Sequence, residues 1–144
     1  MSIAAILRHK GHEIASVSPN TSVSQISATL TEWHIGAVLV RDSAQQLLGI
    51  VSERDIVHSL AREGAACLDK TAAQLMNSVL HTVSPATSTA QAMELMTTSR
   101  VRHLPVLDGE TLVGVISIGD VVKATLDDQT QEVDSLKAYV AGSV

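Results

Sequence analysis

Phenylalanine does not occur in this chain of 144 residues, and Trp33 and Tyr139 are its whole aromatic complement. A core must therefore be built from Ile, Leu, Val, Met and Ala. The scarcity counts against a single-stranded nucleic-acid binder, whose bases stack on aromatic side chains. Positive charge is also in deficit: ten Lys and Arg stand against fifteen Asp and Glu, a net charge of −5. That disfavours a phosphate-backbone partner, local basic patches aside. Cys67 is the single cysteine, so no internal disulfide can form, as suits a reducing compartment. No apolar run approaches the ~20 residues that a membrane-spanning helix requires. The opening MSIAAILRHKG places its charges after a short apolar run, with no A-x-A site following, and reads as mature chain. The expectation is a cytoplasmic protein with no nucleic-acid and no membrane partner.

What the chain does have is apolar content and repetition. Hydrophobic residues make up 45% and charged residues 17%, a globular composition. At this length folding removes roughly 68–70% of the unfolded surface from water, so no metal or disulfide is required. The segment VSPNTSVSQ (17–25) reappears as VSPATSTAQ (83–91), and in the same register Thr31, Val40 and Asp42 match Thr97, Val106 and Asp108. A one-residue deletion in the next loop shifts the register, after which GIVSERDIV (49–57) matches GVISIGDVV (114–122). Matches spread over a whole unit mark an internal repeat.

Each unit reads as β-α-β-β-α, so the fold class is α/β (α+β). An extended segment, EIASV (13–17) or VLHTV (79–83), ends at Ser-Pro, because the residue before proline is pushed out of the helical region. Capping boxes follow, Ser22 with Gln25 and Ser88 with Gln91. Val23, Ile26 and Leu30 share a face of the first helix, and Ala92, Met93 and Met96 a face of the second. Strand pairs are predicted at GAVLV (36–40) with LLGIV (47–51), and at HLPV (103–106) with TLVGVI (111–116). Closing helices begin at ERDIVHSLARE (53–63), stopped by Gly64, and at IGDVVKATLDD (118–128), continuing to about Val140. The expected divisions are an N-terminal helix at 1–12, capped by Ser2 and ended by Gly11, repeat 1 at 13–64, a linker with a short helix at 65–78, and repeat 2 at 79–141. One unit of about 50 residues buries too little surface to be stable alone, so the two are expected to pack sheet to sheet.

In both repeats an apolar strand ends in Ser, and Asp follows three residues later: Ser52 with Asp55, Ser117 with Asp120. As structure, this is a capping box with Asp in the Glu place. As function, the same geometry suits a nucleoside phosphate. A helix N-terminus offers N–H groups to phosphate, the Ser hydroxyl joins them, and an Asp accepts hydrogen bonds from ribose hydroxyls. Arg54 can meet a phosphate with two hydrogen bonds. Its counterpart is Gly119, which lets a ligand approach the backbone. The two sites are therefore unequal, the first preferring a more charged or longer phosphate group.

The double unit, with VSPATSTAQAMELM, VRHLPVLDGETLVGVISIGDVV and GAVLVRDSAQQLLGIVSERDIV, resembles a CBS-domain pair over roughly residues 13 to 126. It is similar to the small stand-alone bacterial members that carry two such repeats and no attached enzyme. The resemblance implies two tandem repeats with pseudo-two-fold symmetry and clefts that bind adenosine-type ligands: AMP, ADP, ATP, NAD(H) or S-adenosylmethionine. It implies that Ser52 and Asp55 serve one cleft, and Ser117 and Asp120 the other. The segments lining the base pockets are then Ile14, Ala15 and Ser16, and Leu80, His81 and Thr82. It also implies a homodimer and a regulatory role exerted on a protein partner the sequence does not name. The first repeat departs from the pattern: Leu39 stands where the second has proline.

Further residues gather charge. Arg100, Arg102 and His103 precede and open a strand, as a solvated rim or as phosphate contacts. Arg8, His9 and Lys10 either complement the C-terminal end of the first helix or close over phosphates, with Lys10 the strongest candidate. His9 and His12 do not make a metal site, since Gly11 interrupts the helix and no further ligands lie nearby. Cys67 lacks a catalytic setting and reads as a partly buried linker residue. Met76, Met93 and Met96 read as gap fillers, and DDQTQEVD (127–134) as the exposed face of the last helix. No paired general acid and base appears, and no nucleophile lies beside a base, so the chain is not read as an enzyme.

Overall fold

Ser2 begins the first helix, its hydroxyl accepting from the Ala5 amide in a computed structural model that describes residues 1–142. Helix α1 runs Ile3–Lys10 and stops at Gly11, whose φ of 96° would strain a residue carrying Cβ. The elements that follow are β1 (Ser16–Val17), α2 (Val23–Trp33), β2 (Ala37–Arg41), β3 (Leu47–Ser52) and α3 (Glu53–Glu63). A 3-10 segment (Gly64–Asp69) and a short helix α4 (Ala72–Leu75) come next. The second half consists of α5 (Thr89–Ser99), β4 (His103–Asp108), β5 (Thr111–Ser117) and α6 (Ile118–Gly142). The architecture is mixed α and β, with two small sheets.

The chain divides into two units, residues 14–80 and residues 1–13 with 81–144. In the first, β1 pairs parallel to β2, which pairs antiparallel to β3. Its core joins Val23, Ile26 and Leu30 of α2 to Val38, Val40 and Val51 of the sheet and Ile56 of α3. Cys67 and Ala72 are wholly buried in the same core. The segment expected to be linker is thus packed structure, and Cys67 is fully rather than partly buried. In the other unit β4 pairs antiparallel to β5. Here the core joins Ala92 and Met96 of α5, Leu104, Val106 and Ile116 of the sheet, and Val121 of α6. It also takes in Ile3, Ile6 and Leu7 of α1. The N-terminal helix therefore completes the second repeat's core from the far end of the chain, with the Ile3 and Ala4 amides donating to the Thr87 and Pro85 carbonyls.

Both capping boxes form as expected, at Ser22 with Gln25 and Ser88 with Gln91, and a third joins Thr71 to Gln74. The first extended segment is shorter than EIASV: only Ser16 and Val17 make strand. The second is not a strand at all. Val83 makes one parallel bridge to Val106, while Val79 is 70% exposed. Its apolar residues do not alternate, and Val83 alone of the stretch is bridged to a strand among the described residues. Among the described residues no helix is long and apolar enough to cross a membrane.

Candidate ligand site

The Ser-x-x-Asp loops are built twice by the same local rules. Antiparallel pairing sets Ala37 opposite Ser52, and His103 opposite Ser117. Each Ser ends its strand and caps the next helix. In residues 14–80, the Ser52 hydroxyl accepts from the Asp55 amide at 3.3 Å. Asp55 Oδ2 in return accepts from the Ser52 amide and the Ser52 hydroxyl, both at 2.9 Å. In the other unit, Ser117 Oγ accepts from the Asp120 amide at 3.2 Å, and Asp120 Oδ2 accepts from the Ser117 amide at 2.8 Å. The structural reading of the motif as a capping box therefore holds in both copies.

The caps leave two groups over in each copy. The first helical amide is used, Glu53 donating to Gly36 and Ile118 to Arg102, each at 2.8 Å. The third is used by the Ser hydroxyl. The second, on Arg54 or Gly119, has no acceptor among the described residues. Every recorded bond to the two carboxylates falls on Oδ2, so Oδ1 of Asp55 and of Asp120 is likewise unused among the described residues. One donor and one acceptor thus stand together at each helix start, where the helix dipole favours an anion.

The copies differ in what surrounds them. Lys10 Nζ donates to Asp120 Oδ2 at 2.7 Å and to the Val115 carbonyl at 2.8 Å. Lys10, expected either to complement the helix end or to close over phosphates, pairs with the aspartate. Burial pushes the Asp120 carboxyl up, but the Lys10 ammonium and the Ser117 N–H and hydroxyl outweigh it and hold the group below its ordinary value. Asp120 lines a cavity of about 500 Å³ between α1 and α6. His9, of the basic cluster named above, lies on its wall with Lys123, a cation that sequence reasoning missed although it stands one turn beyond Asp120. Asp55 has no ion pair among the described residues, and the neighbouring Arg54 is exposed. At Gly119 an added Cβ would meet Ser117 Oγ at 3.6 Å, an ordinary contact, so the chain itself does not require glycine there.

The remaining predicted residues are dispersed. Ile14 and Ala15 are half-buried, and the Ala15 carbonyl accepts from Leu39, so this stretch runs along β2. Ser16 lines a second hollow of about 520 Å³ with Arg41 and Asp42, at the opposite end of β2 from Ser52. Leu80 falls in the first unit, whereas His81 and Thr82 fall in the second, with His81 Nδ1 3.4 Å from Ser99 Oγ. Arg100 is the left-handed cap of α5, and Arg102 is exposed. His103 opens β4 half-buried, directly across from Ser117. Among the described residues, no three His, Cys, Asp or Glu side chains gather as metal ligands.

The CBS-domain family model matches residues 6–62 and 72–127. The mitochondrial CBS domain-containing protein CBSX3 of Arabidopsis thaliana is 36% identical over 118 residues, 79% of this chain. The match covers 57% of that relative's own length. The crystal structure of a CBS-domain containing protein from Agrobacterium tumefaciens is 40% identical, with a TM-score of 0.84 over 86% of this chain and 92% of that one. A CBS domain protein from Pyrobaculum aerophilum, solved in complex with AMP, is 25% identical, with a TM-score of 0.73 over 83% of this chain and 89% of that one.

Proposed function

This chain belongs to the CBS-domain family, two copies in tandem, and from that premise we propose that it is a non-catalytic regulatory module for adenosine-type nucleotides. AMP, ADP, ATP and NAD(H) are the candidate ligands. The observation that carries the reading is the pair left over at each helix start, a free amide beside an unused carboxylate oxygen. The amides of Arg54 and Gly119 suit a phosphate oxygen, and Oδ1 of Asp55 and Asp120 suits a ribose hydroxyl. AMP bound by the related Pyrobaculum protein supports the ligand class. Arg54 adds charge to the first site. At the second, a ribose hydroxyl shares Asp120 with Lys10, so the two sites differ in affinity. Ligand binding then biases the module toward the state it fits best, and a protein partner reads that state through linkage. Association of two copies belongs to this reading.

A second reading has an observation of its own. The capping boxes give the Ser and the Asp of both motifs a structural role, so the motifs would persist in a partner-binding dimer that takes no nucleotide. Asp55→Asn and Asp120→Asn separate the two, because an amide oxygen still caps the helix but loses the carboxylate charge. Ligand at ~100 times its dissociation constant should stabilise the wild type by about 2.7 kcal/mol in a thermal-shift series. The expected result is a shift with at least one of AMP, ADP, ATP, NAD and NADH that the double variant loses. No shift with any of them at millimolar concentration, or a shift the double variant retains, favours the structural reading.

A further inference from the structure

Helix α6 runs on for 25 residues, and from Gln129 onward every described residue is exposed. The apolar residues on it are not scattered. Val122, Leu126, Val133, Leu136 and Val140, with Gln129 among them, are spaced alternately by four and three residues, the repeat of a coiled-coil seam. These side chains face water: Leu126 is 56% exposed, Val133 50%, Leu136 66% and Val140 60%. An apolar stripe left this exposed along a helix is under strong drive to be covered.

The flanking charges say what covers it. Beside this seam Glu132 takes the position before one core residue and Lys137 the position after the next. They are five residues apart, too far round the helix to pair with each other. In two parallel copies in register, Glu132 of each faces Lys137 of its mate. An antiparallel pair would gather Lys123, Thr130 and Lys137 on one flank, like charges together. We propose that the α6 seam is a self-association surface, on which two copies of this chain form a parallel, in-register two-stranded coil. This gives a surface and an orientation to the homodimer of the preceding section and rests on that reading. Gln129, the one polar seam residue, favours its own copy opposite and so fixes the register.

Sedimentation of the full chain at micromolar concentration tests the association, and disulfide trapping tests the surface. The wild type should sediment as a dimer. Leu136→Cys should oxidise to a cross-linked dimer, since the same seam position faces itself in a parallel coil; Cys67 is buried and stays silent. Glu132→Lys should weaken the dimer about ten-fold, and adding Lys137→Glu should restore it. Circular dichroism checks that each variant stays folded; both charge variants lie on the exposed surface, away from the core. A dimer in which Leu136→Cys fails to cross-link overturns the seam but leaves self-association standing. A monomeric wild type overturns both, and assigns the stripe to a different protein.

Discussion

Asp120 is where the chemistry of single residues is most concentrated. Its Oδ2 takes the Ser117 amide and the Lys10 ammonium at once, and the net effect is a carboxyl held below its ordinary value. The sign of the consequence is fixed. A carboxyl whose folded value lies below its unfolded value contributes stability above the unfolded value of about 3.9, and that contribution disappears as pH falls through the folded one. Asp120→Asn, which keeps the cap but not the charge, should therefore be less stable than wild type at neutral pH. The ion pair is partly solvated, so the difference is at most about 1 kcal/mol. Urea melts of both proteins from pH 7 to below 4 should show the gap closing at the acid end. A gap of the same size throughout would mean that the ammonium contributes nothing and that the loss comes from altered packing.

The elements show which parts of the fold local sequence could declare. Helix α3 begins and ends where Ser52 and Gly64 place its limits, because a capping hydroxyl and a glycine stop are local signals. The antiparallel pairs appear where Gly and Asp turns separate apolar runs. The strand expected at 79–83 shrank to the bridge at Val83, because pairing is decided by residues distant in sequence, here Pro105 and Leu107 of β4. Lys10 shows the same limit at the site: its ammonium meets Asp120 only because α1 packs beside β5 and α6. The close approaches of two matching glycines were also invisible. A Cβ at Gly49 would meet Met76 Sδ at 2.7 Å and the Asn77 carbonyl at 2.9 Å. At Gly114 it would meet Leu7 Cδ2 at 2.7 Å. The leucine tip can turn aside, whereas the carbonyl belongs to a strand-like bridge in which Asn77 and Ile50 exchange both backbone hydrogen bonds. Gly49→Ala should thus cost about 1–3 kcal/mol, and Gly114→Ala distinctly less, in equilibrium denaturation. The opposite ranking would show that the Asn77 bridge yields more readily than Leu7.

At the scale of the molecule, duplication of the sequence does not divide the chain at its midpoint. The residues before Ile14 join those after Leu80, so that the second repeat's unit is completed by the chain's first helix. The reason is burial. Ile3 and Leu7 are essentially inaccessible, and the groups they cover are Met96, Leu104 and Ile116 of the second repeat. Leu7→Ala should cost about 2–5 kcal/mol, as removal of a buried leucine side chain does when the surroundings cannot collapse. Ile26→Ala, in the other core, should cost a similar amount. The two differ in where the loss is felt. Amide hydrogen exchange in Leu7→Ala should accelerate in β4 and β5, and in Ile26→Ala in β2 and β3, because each core substitution lowers the opening free energy of the unit it supports. Full protection of β4 and β5 in Leu7→Ala would mean that α1 is an accessory to its unit and not a part of its core. It would also mean that Lys10 is not held beside Asp120, since α1 carries both Leu7 and Lys10.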